Sequence, residues 1–409
     1  MNASDTETSK YVNLYFQVHQ PRRLRRFQFS EIGSETSIFN DKLNAAIIKR
    51  TAEDCYLPAN RLIFQLIRKY PQVKCTFSIS GSVLDQLSEY APQVITSFKE
   101  LAATGSVEFL AETYFHSLSY FIDKDEFIDQ INRHRRKIYD LFGQRPRFFR
   151  NTDLIYCDEI GRIVYDLGFE GIYVEGTNRL LIGRPGYNLY KHPDNDLVLF
   201  PRNYQLSDAI AFGYSEEGRS LTPERFISLV RNGGPGKFTG IGIGYETFGE
   251  HKKATDGIFS FLEGLIDQLA RGDEFELTTL QKTATLIPPN NTIRVGDVIS
   301  WADQEKDLSA WLGNELQKIA FESLKKLYRS VKSTGNSKLI ASYRSLQTSD
   351  HFYYMSTKGI EDQAIHDFVN HYGSPYEAFR NYMNTLSNFE LLVEKYRTKK
   401  HEPAYCLQN

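Results

Sequence analysis

Thr239-Gly240-Ile241-Gly242-Ile243-Gly244-Tyr245-Glu246 reads as a β-strand with glycine at every second position. Strand side chains alternate between two faces, so Ile241, Ile243 and Tyr245 share one face while positions 240, 242 and 244 leave the other bare. The large face suits packing against helices. The bare face suits the inside of a barrel, where glycine marks close approach of a ligand or another backbone, or a tight corner that only glycine fits. Working outward, six further runs rich in β-branched and aromatic residues are predicted strands: residues 12–18, 74–80, 107–111, 147–151, 171–174 and 197–201. Between them, residues 60–70, 82–104, 124–142 and 158–167 carry apolar side chains three and four positions apart, as helices do. Strands alternating with helices predict an α/β chain with a parallel sheet. Beyond Ile287 helical periodicity continues without strands, over residues 308–333 and 376–396. The expected organisation is a polar tail over residues 1–10, a β/α domain over 11–287 and an α-helical domain over 288–409.

A chain of 409 residues with 41% hydrophobic content can bury a large core, and one barrel with an appended domain fits this length. Its 49 basic and 51 acidic residues give a formal charge of −2, so charge provides no footprint for nucleic acid or an anionic membrane surface. The polar first ten residues lack the apolar centre of a secretory signal, and no segment supplies the roughly 18 apolar residues of a membrane-spanning helix. Cys55, Cys75, Cys157 and Cys406 are scattered without a CxxC pair, which predicts reduced thiols, no zinc site and a cytoplasmic protein.

Active sites of β/α barrels lie at the carboxyl ends of the strands. Four of the seven runs end in polar clusters: His19-Gln20-Pro21 after the first; Glu108 and Glu112, then Tyr114 and His116, on the third; Arg150-Asn151-Thr152-Asp153 on the fourth; and Tyr245 to His251 on the seventh. Each cluster alone is weak, but parallel strands would put all four on one rim.

Five segments taken in order carry a more specific signal: Phe16-Gln17-Val18-His19-Gln20-Pro21; Gly105-Ser106-Val107-Glu108 with Thr113-Tyr114-Phe115-His116-Ser117; Arg150-Asn151-Thr152-Asp153-Leu154-Ile155-Tyr156; Tyr245-Glu246-Thr247-Phe248-Gly249-Glu250-His251; and Asp307-Leu308-Ser309-Ala310-Trp311-Leu312-Gly313-Asn314. Together they resemble the five ordered sequence regions of the α-amylase-like members of glycoside hydrolase family 57. The resemblance spans residues 11 to 315. It implies an incomplete seven-stranded (β/α)7 barrel, a C-terminal helical domain that helps form the cleft, and a retaining reaction on α-1,4-glucans with no metal or other cofactor. The implied partner is an α-glucan or maltooligosaccharide. A metal-dependent deacetylase on a similar barrel would need an HxxxH pair with an Asp, and the sequence has none.

Retention needs a carboxylate nucleophile and a carboxylic acid on either side of the scissile bond. In the family pattern the nucleophile is the Glu of Arg-Asn-Thr-Glu, and the acid is the Asp directly before Tyr-Glu-Thr-Phe-Gly-Glu-His. Those positions here are Asp153 and Gly244. Asp153 keeps the carboxylate but is one methylene shorter, about 1–1.5 Å back. Gly244 offers no proton. Continued strand alternation would put Glu246 on the same face, about 6.5 Å further on, as a possible substitute acid. By resemblance His19, Glu108, His116 and His251 contact sugar hydroxyls or orient the carboxylates. Trp301 and Trp311, the two tryptophans, are either sugar-stacking platforms, with Asp307 and Asn314 as polar partners, or a seal between barrel and helical domain. The expected function is α-1,4-glucan binding with lost or strongly reduced hydrolysis. The alternative is an active retaining hydrolase or 4-α-glucanotransferase using Asp153 and Glu246.

Overall fold

The computed structural model describes residues 10–34, 37–213, 221–358 and 370–401; the tail before Lys10 and Cys406 lie outside the described residues. Within these the chain forms two compact units, one of residues 10–20, 45–114 and 128–307, the other of residues 21–44, 115–127 and 308–401. The expected boundary at residue 287 therefore moves to 307, and two loops of the β/α region join the helical unit.

All seven expected strands are present in the first unit: β1 (Lys10–Val18), β2 (Cys75–Ile79), β3 (Val107–Phe109), β4 (Phe148–Arg150), β5 (Gly171–Glu175), β6 (Val198–Arg202) and β7 (Phe238–Gly244). Neighbouring strands run parallel in the order β7-β1-β2-β3 and β4-β5-β6. Two thin seams close the ring. Ala111, just beyond β3, bridges to Phe149 of β4, and β6 meets β7 at the single register pair Arg202↔Gly240. Three shorter strands are additional: Phe275–Leu277 runs along the first residues of β1, while Tyr190–Lys191 and Asn291–Thr292 extend the sheet beside β6. The helix expected over residues 82–104 is two helices, Gly81–Tyr90 and Pro92–Ala103. Pro92 has no amide hydrogen and its ring would clash with the preceding turn, so it starts the second helix rather than continuing the first.

Strand alternation sorts the core into two layers. Val12, Leu14, Phe16 and Val18 of β1 face outward into a cluster that includes Ile63, Leu66, Phe98, Phe261 and Leu265 from the surrounding helices. Tyr15 points the other way, into a cluster with Leu110, Phe148, Tyr173, Phe200 and Phe238 that fills the barrel. Burying a side chain of this size contributes roughly 1.5–3 kcal/mol, so both layers stabilise the ring. The bare face of β7 is explained by this filling. A Cβ on Gly240 would lie 2.8 Å from Tyr173 Oη, and one on Gly242 would lie 3.0 Å from Tyr15 Cδ1 and 3.1 Å from Tyr173 Cε1. Two of the three glycines therefore make room for tyrosines, not for a ligand.

The second unit contains the helices Glu315–Thr334, Ser337–Leu346 and Pro375–His401. Three asparagines on one face of the last helix hold the segment that follows β1. Asn381 Oδ1 accepts the Phe27 amide (2.6 Å), Asn384 Nδ2 donates to Phe27 O (3.0 Å), and Asn388 Oδ1 accepts the Gly33 amide (2.8 Å). This spacing of three and four residues is the helical repeat, so one face supplies a row of amides to an irregular backbone. That row is why residues 21–44 belong to the helical unit.

Candidate active site

β7 stops at Gly244, and Tyr245–Thr247 forms a single 3-10 turn. The expected continuation of the strand to Glu246 is thus corrected, and alternation does not set where that side chain points. The turn does. It returns the Glu246 carboxyl toward the strand end, so that a Cβ on Gly244 would lie 3.9 Å from Glu246 Oε2; among the described residues, its two chain neighbours aside, no other atom comes within 4 Å. Gly244 has φ −61° and ψ 127°, ordinary extended backbone that any residue adopts. Nothing in packing or backbone demands glycine here, unlike at positions 240 and 242.

Glu246 is buried. Its Oε1 accepts two hydrogen bonds, from Tyr56 Oη (2.6 Å) and from the backbone amide of His19 (3.1 Å). Burial pushes its carboxyl up to about 7; the Tyr56 hydroxyl, its own backbone amide and the His19 amide oppose the shift by favouring the ionised form, and Glu250 adds a smaller upward push. Tyr56 ends a π-helical turn, Ala52–Tyr56, between two α-helices. Such one-turn expansions re-aim a side chain and recur at functional sites. The turn after β7 is moulded onto this bulge: Gly249 has φ 113°, and a Cβ there would fall 2.0 Å from Asp54 O, so only glycine fits. Beside it Glu250 is buried and ion-paired with Arg50. His19 leaves the end of β1 and shares a 2.7 Å hydrogen bond between Nδ1 and Ser80 Oγ.

Asp153 lies in the turn Thr152–Leu154 after β4, with φ 51° and ψ 29°. Left-handed backbone is tolerated better by Asp than by most residues, and Leu154 follows with φ 52°. Trp301 holds the turn twice: its indole Nε1 donates to Asp153 Oδ1 (3.2 Å) and its amide donates to Asp153 O (3.1 Å). An antiparallel bridge, Tyr156↔Ile299, aligns the two segments. The guanidinium carbons of Arg150 and Arg202 both stand 5.6 Å from the Trp301 ring centroid. Each arginine ends a strand and is itself fixed. Arg150 donates to Glu112 (3.3 Å) and Gln17 (2.7 Å); Arg202 donates to Glu175 (2.9 Å) and Asp208 (2.6 Å). Removing one partner of such a buried pair costs about 3–5 kcal/mol, because the other charge stays behind.

The structure thus brings His19, Glu246, Gly244 and Asp153 to the carboxyl ends of parallel strands of one unit, with Trp301 joined to them through Asp153. The other residues singled out in the sequence are placed as follows. His251 is exposed and follows the same turn, its amide donating to Glu246 O (2.9 Å). Asp307 fastens the Trp301 loop, accepting from Arg179 (3.3 Å) through its carboxylate and from Ser300 Oγ (2.6 Å) through its carbonyl. Glu108 is corrected. It accepts the amides of Leu280 (2.7 Å) and Gln281 (3.2 Å), at the start of the helix after Phe275–Leu277, which pairs with the first residues of β1. Glu108 therefore closes the opposite mouth of the barrel and does not face the rim. His116, Trp311 and Asn314 belong to the second unit. His116 is buried with φ 49°, and its carbonyl accepts the Ser349 amide (2.9 Å). Trp311 is buried, 6.5 Å from the Tyr353 ring, so it packs inside its unit rather than presenting an open platform. Asn314 caps the helix Glu315–Thr334 through the Gln317 amide (2.9 Å) and donates to Met355 O (2.8 Å); both ends of its side chain are committed to structure.

Sequence reasoning missed Tyr56, Arg202 and Glu175, and did not assign roles to Gln17, Glu112 or Arg150. The last strand residues Arg150, Glu175 and Arg202 did carry a signal, a charge closing an apolar run. Tyr56 carried none, since its place depends on the π-helical turn.

The sequence profile of glycosyl hydrolase family 57 matches residues 13–296, which span the seven strands and their strand-end carboxylates. The chain belongs to that family. It is 37% identical over 404 residues to a Methanocaldococcus jannaschii protein named "Putative alpha-amylase", covering 95% of this chain and 86% of that one. Solved structures share the fold, among them the following two. The family 57 branching enzyme of Thermococcus kodakaraensis superposes with a TM-score of 0.66 at 13% identity, covering 88% of this chain and 87% of that one. The alpha-amylase AmyC of Thermotoga maritima gives 0.62 at 12% identity, covering 96% of each.

Proposed function

We propose that this family 57 chain binds an α-1,4-glucan at the strand-end rim and cleaves or transfers it slowly by retention, with Asp153 at the nucleophile position. The observation that carries the reading is position 244: its backbone and surroundings would accept a side chain, yet it bears none, while the Asp153 carboxylate is kept and held by Trp301. General acid help is worth about 10²–10⁴-fold for an alkoxide-like leaving group, so a rim without the family acid retains binding but turns over poorly. The names of the relative and of the two structures, amylases and a branching enzyme, support an α-glucan as the ligand. The reading includes a cytoplasmic location, supported by Cys55, Cys75 and Cys157, which are buried and stand outside any disulfide. Among the described residues no helix is long and apolar enough to cross a membrane.

Calorimetry with maltoheptaose alongside reducing-end release tests the reading. Binding with slow release that Asp153→Ala abolishes is expected. Absence of binding, or release untouched by Asp153→Ala, would overturn it.

A further inference from the structure

We infer that Glu246, acting through Oε2, supplies the proton to the leaving sugar oxygen, that Gly244 is the opening through which it reaches, and that Tyr56 is the positioning residue that decides which oxygen carries the proton. This rests on the α-glucan reading above.

Tyr56 Oη and the His19 amide both point at Glu246 Oε1. An oxygen that accepts two hydrogen bonds is the carbonyl-like oxygen of a carboxylic acid, so when the group is protonated the hydrogen sits on Oε2. Oε2 is also the oxygen that stands 3.9 Å from the Cβ position of residue 244, where the family carries its acid. Glycine clears the intervening space, and the hydrogen faces the position that a substituted side chain would have filled. The groups surrounding this carboxyl are Cys55 and Tyr56 on the π-helical turn, His19 at the end of β1, and Tyr245, Glu250 and His251 on its own turn, with Glu250 paired to Arg50. Burial keeps the group protonated up to about pH 7, so the acid form is present in the range where the proton is required.

In the first step the Asp153 carboxylate attacks the anomeric carbon and forms a glycosyl ester. The anomeric C–O bond breaks, its electron pair goes to the departing oxygen, and the Glu246 proton joins that oxygen as a hydroxyl. In the second step water or a sugar hydroxyl attacks the same carbon, gives its proton to the Glu246 carboxylate and releases Asp153. Both carboxyls end as they began.

The test separates this inference from the function it rests on. kcat/KM is measured on maltoheptaose, whose leaving group needs a proton, and on α-maltosyl fluoride, whose leaving group does not. Glu246→Gln is expected to lower kcat/KM for maltoheptaose by about 10²–10⁴-fold and for the fluoride by at most about tenfold. Activity on maltoheptaose is expected to fall as pH rises through about 7, because the acid form is then lost. Tyr56→Phe removes a donor that favours the ionised form, so this limb moves to higher pH as kcat falls; a merely structural role would not move it upward. In the Glu246→Gln background, Gly244→Asp is expected to restore maltoheptaose cleavage. Equal losses on both substrates in Glu246→Gln, or an unmoved limb in Tyr56→Phe, overturn the inference and leave the α-glucan reading standing. Full activity in Asp153→Ala, or no turnover of either substrate by the native chain, overturns both.

Discussion

Gly244→Asp is the substitution whose outcome the geometry bounds most tightly. A carboxylate oxygen on Asp lies about 2.4 Å from its Cβ by standard bond lengths. Glu246 Oε2 lies 3.9 Å from the same point, so even with the two aimed alike the oxygens differ by about 1.5 Å. Displacing a reacting group by ~1 Å costs on the order of a hundredfold. Gly244→Asp should therefore raise kcat/KM on maltoheptaose by about a hundredfold, equivalent to about 2.7 kcal/mol of barrier. The variant should fold, because its backbone angles are ordinary and, among the described residues beyond its chain neighbours, the Cβ meets nothing nearer than 3.9 Å. The new carboxyl and Glu246 will share one proton at neutral pH, since two carboxylates this close cannot both ionise without cost. Initial rates of reducing-end release, with circular dichroism melts of both proteins, make the assay. A folded variant with unchanged kcat/KM would refute the claim that the absent side chain limits turnover. A variant that fails to fold would refute the claim of open space.

Three further outcomes follow from the site and its frame. Trp301→Phe keeps the ring but removes the indole donor to Asp153; a hydrogen bond to a charged group is worth about 1.5–3 kcal/mol, so kcat should fall roughly 10- to 100-fold, as steady-state kinetics would show. Gly242→Ala should lower stability by about 1–3 kcal/mol in urea unfolding by crowding Tyr15 and Tyr173, while Gly244→Ala in the same strand should be close to neutral. Asn314→Ala should lose about 1 kcal/mol of stability with the helix cap and leave maltoheptaose affinity unchanged by calorimetry, separating its capping role from the sugar contact expected by resemblance.

The frame was legible because the barrel strands announce themselves by composition and by alternation. β1 shows both, with Val12, Leu14, Phe16 and Val18 on the face that meets the helices. The rim was legible where chemistry follows a strand end directly, as His19 and Asp153 do. Three things were not. The strand end at Gly244 was hidden because Tyr245 and Glu246 continue the alternating pattern into what is a 3-10 turn. Glu108 was misplaced because a strand of three residues has two nearby mouths, and the sequence does not say that the helix from Leu280 covers one of them. Tyr56 was invisible because one extra residue in a helical turn rotates everything after it, and no local pattern records that insertion.

The seam between β6 and β7 has a consequence for how relatives of this chain should be read. Along most of the barrel, backbone binds backbone, and any residue of suitable size keeps the stitch. Here one register pair remains, and the main chain of Gly242 is met by side chains instead: Arg202 Nε donates to its carbonyl (2.8 Å), and its amide donates to Ser207 Oγ (3.1 Å). Exchange of either residue would leave a buried peptide group without its partner. Invariance of Arg202 among homologues would then report the upkeep of a wall rather than a duty in chemistry, although the residue stands beside Trp301 at the rim.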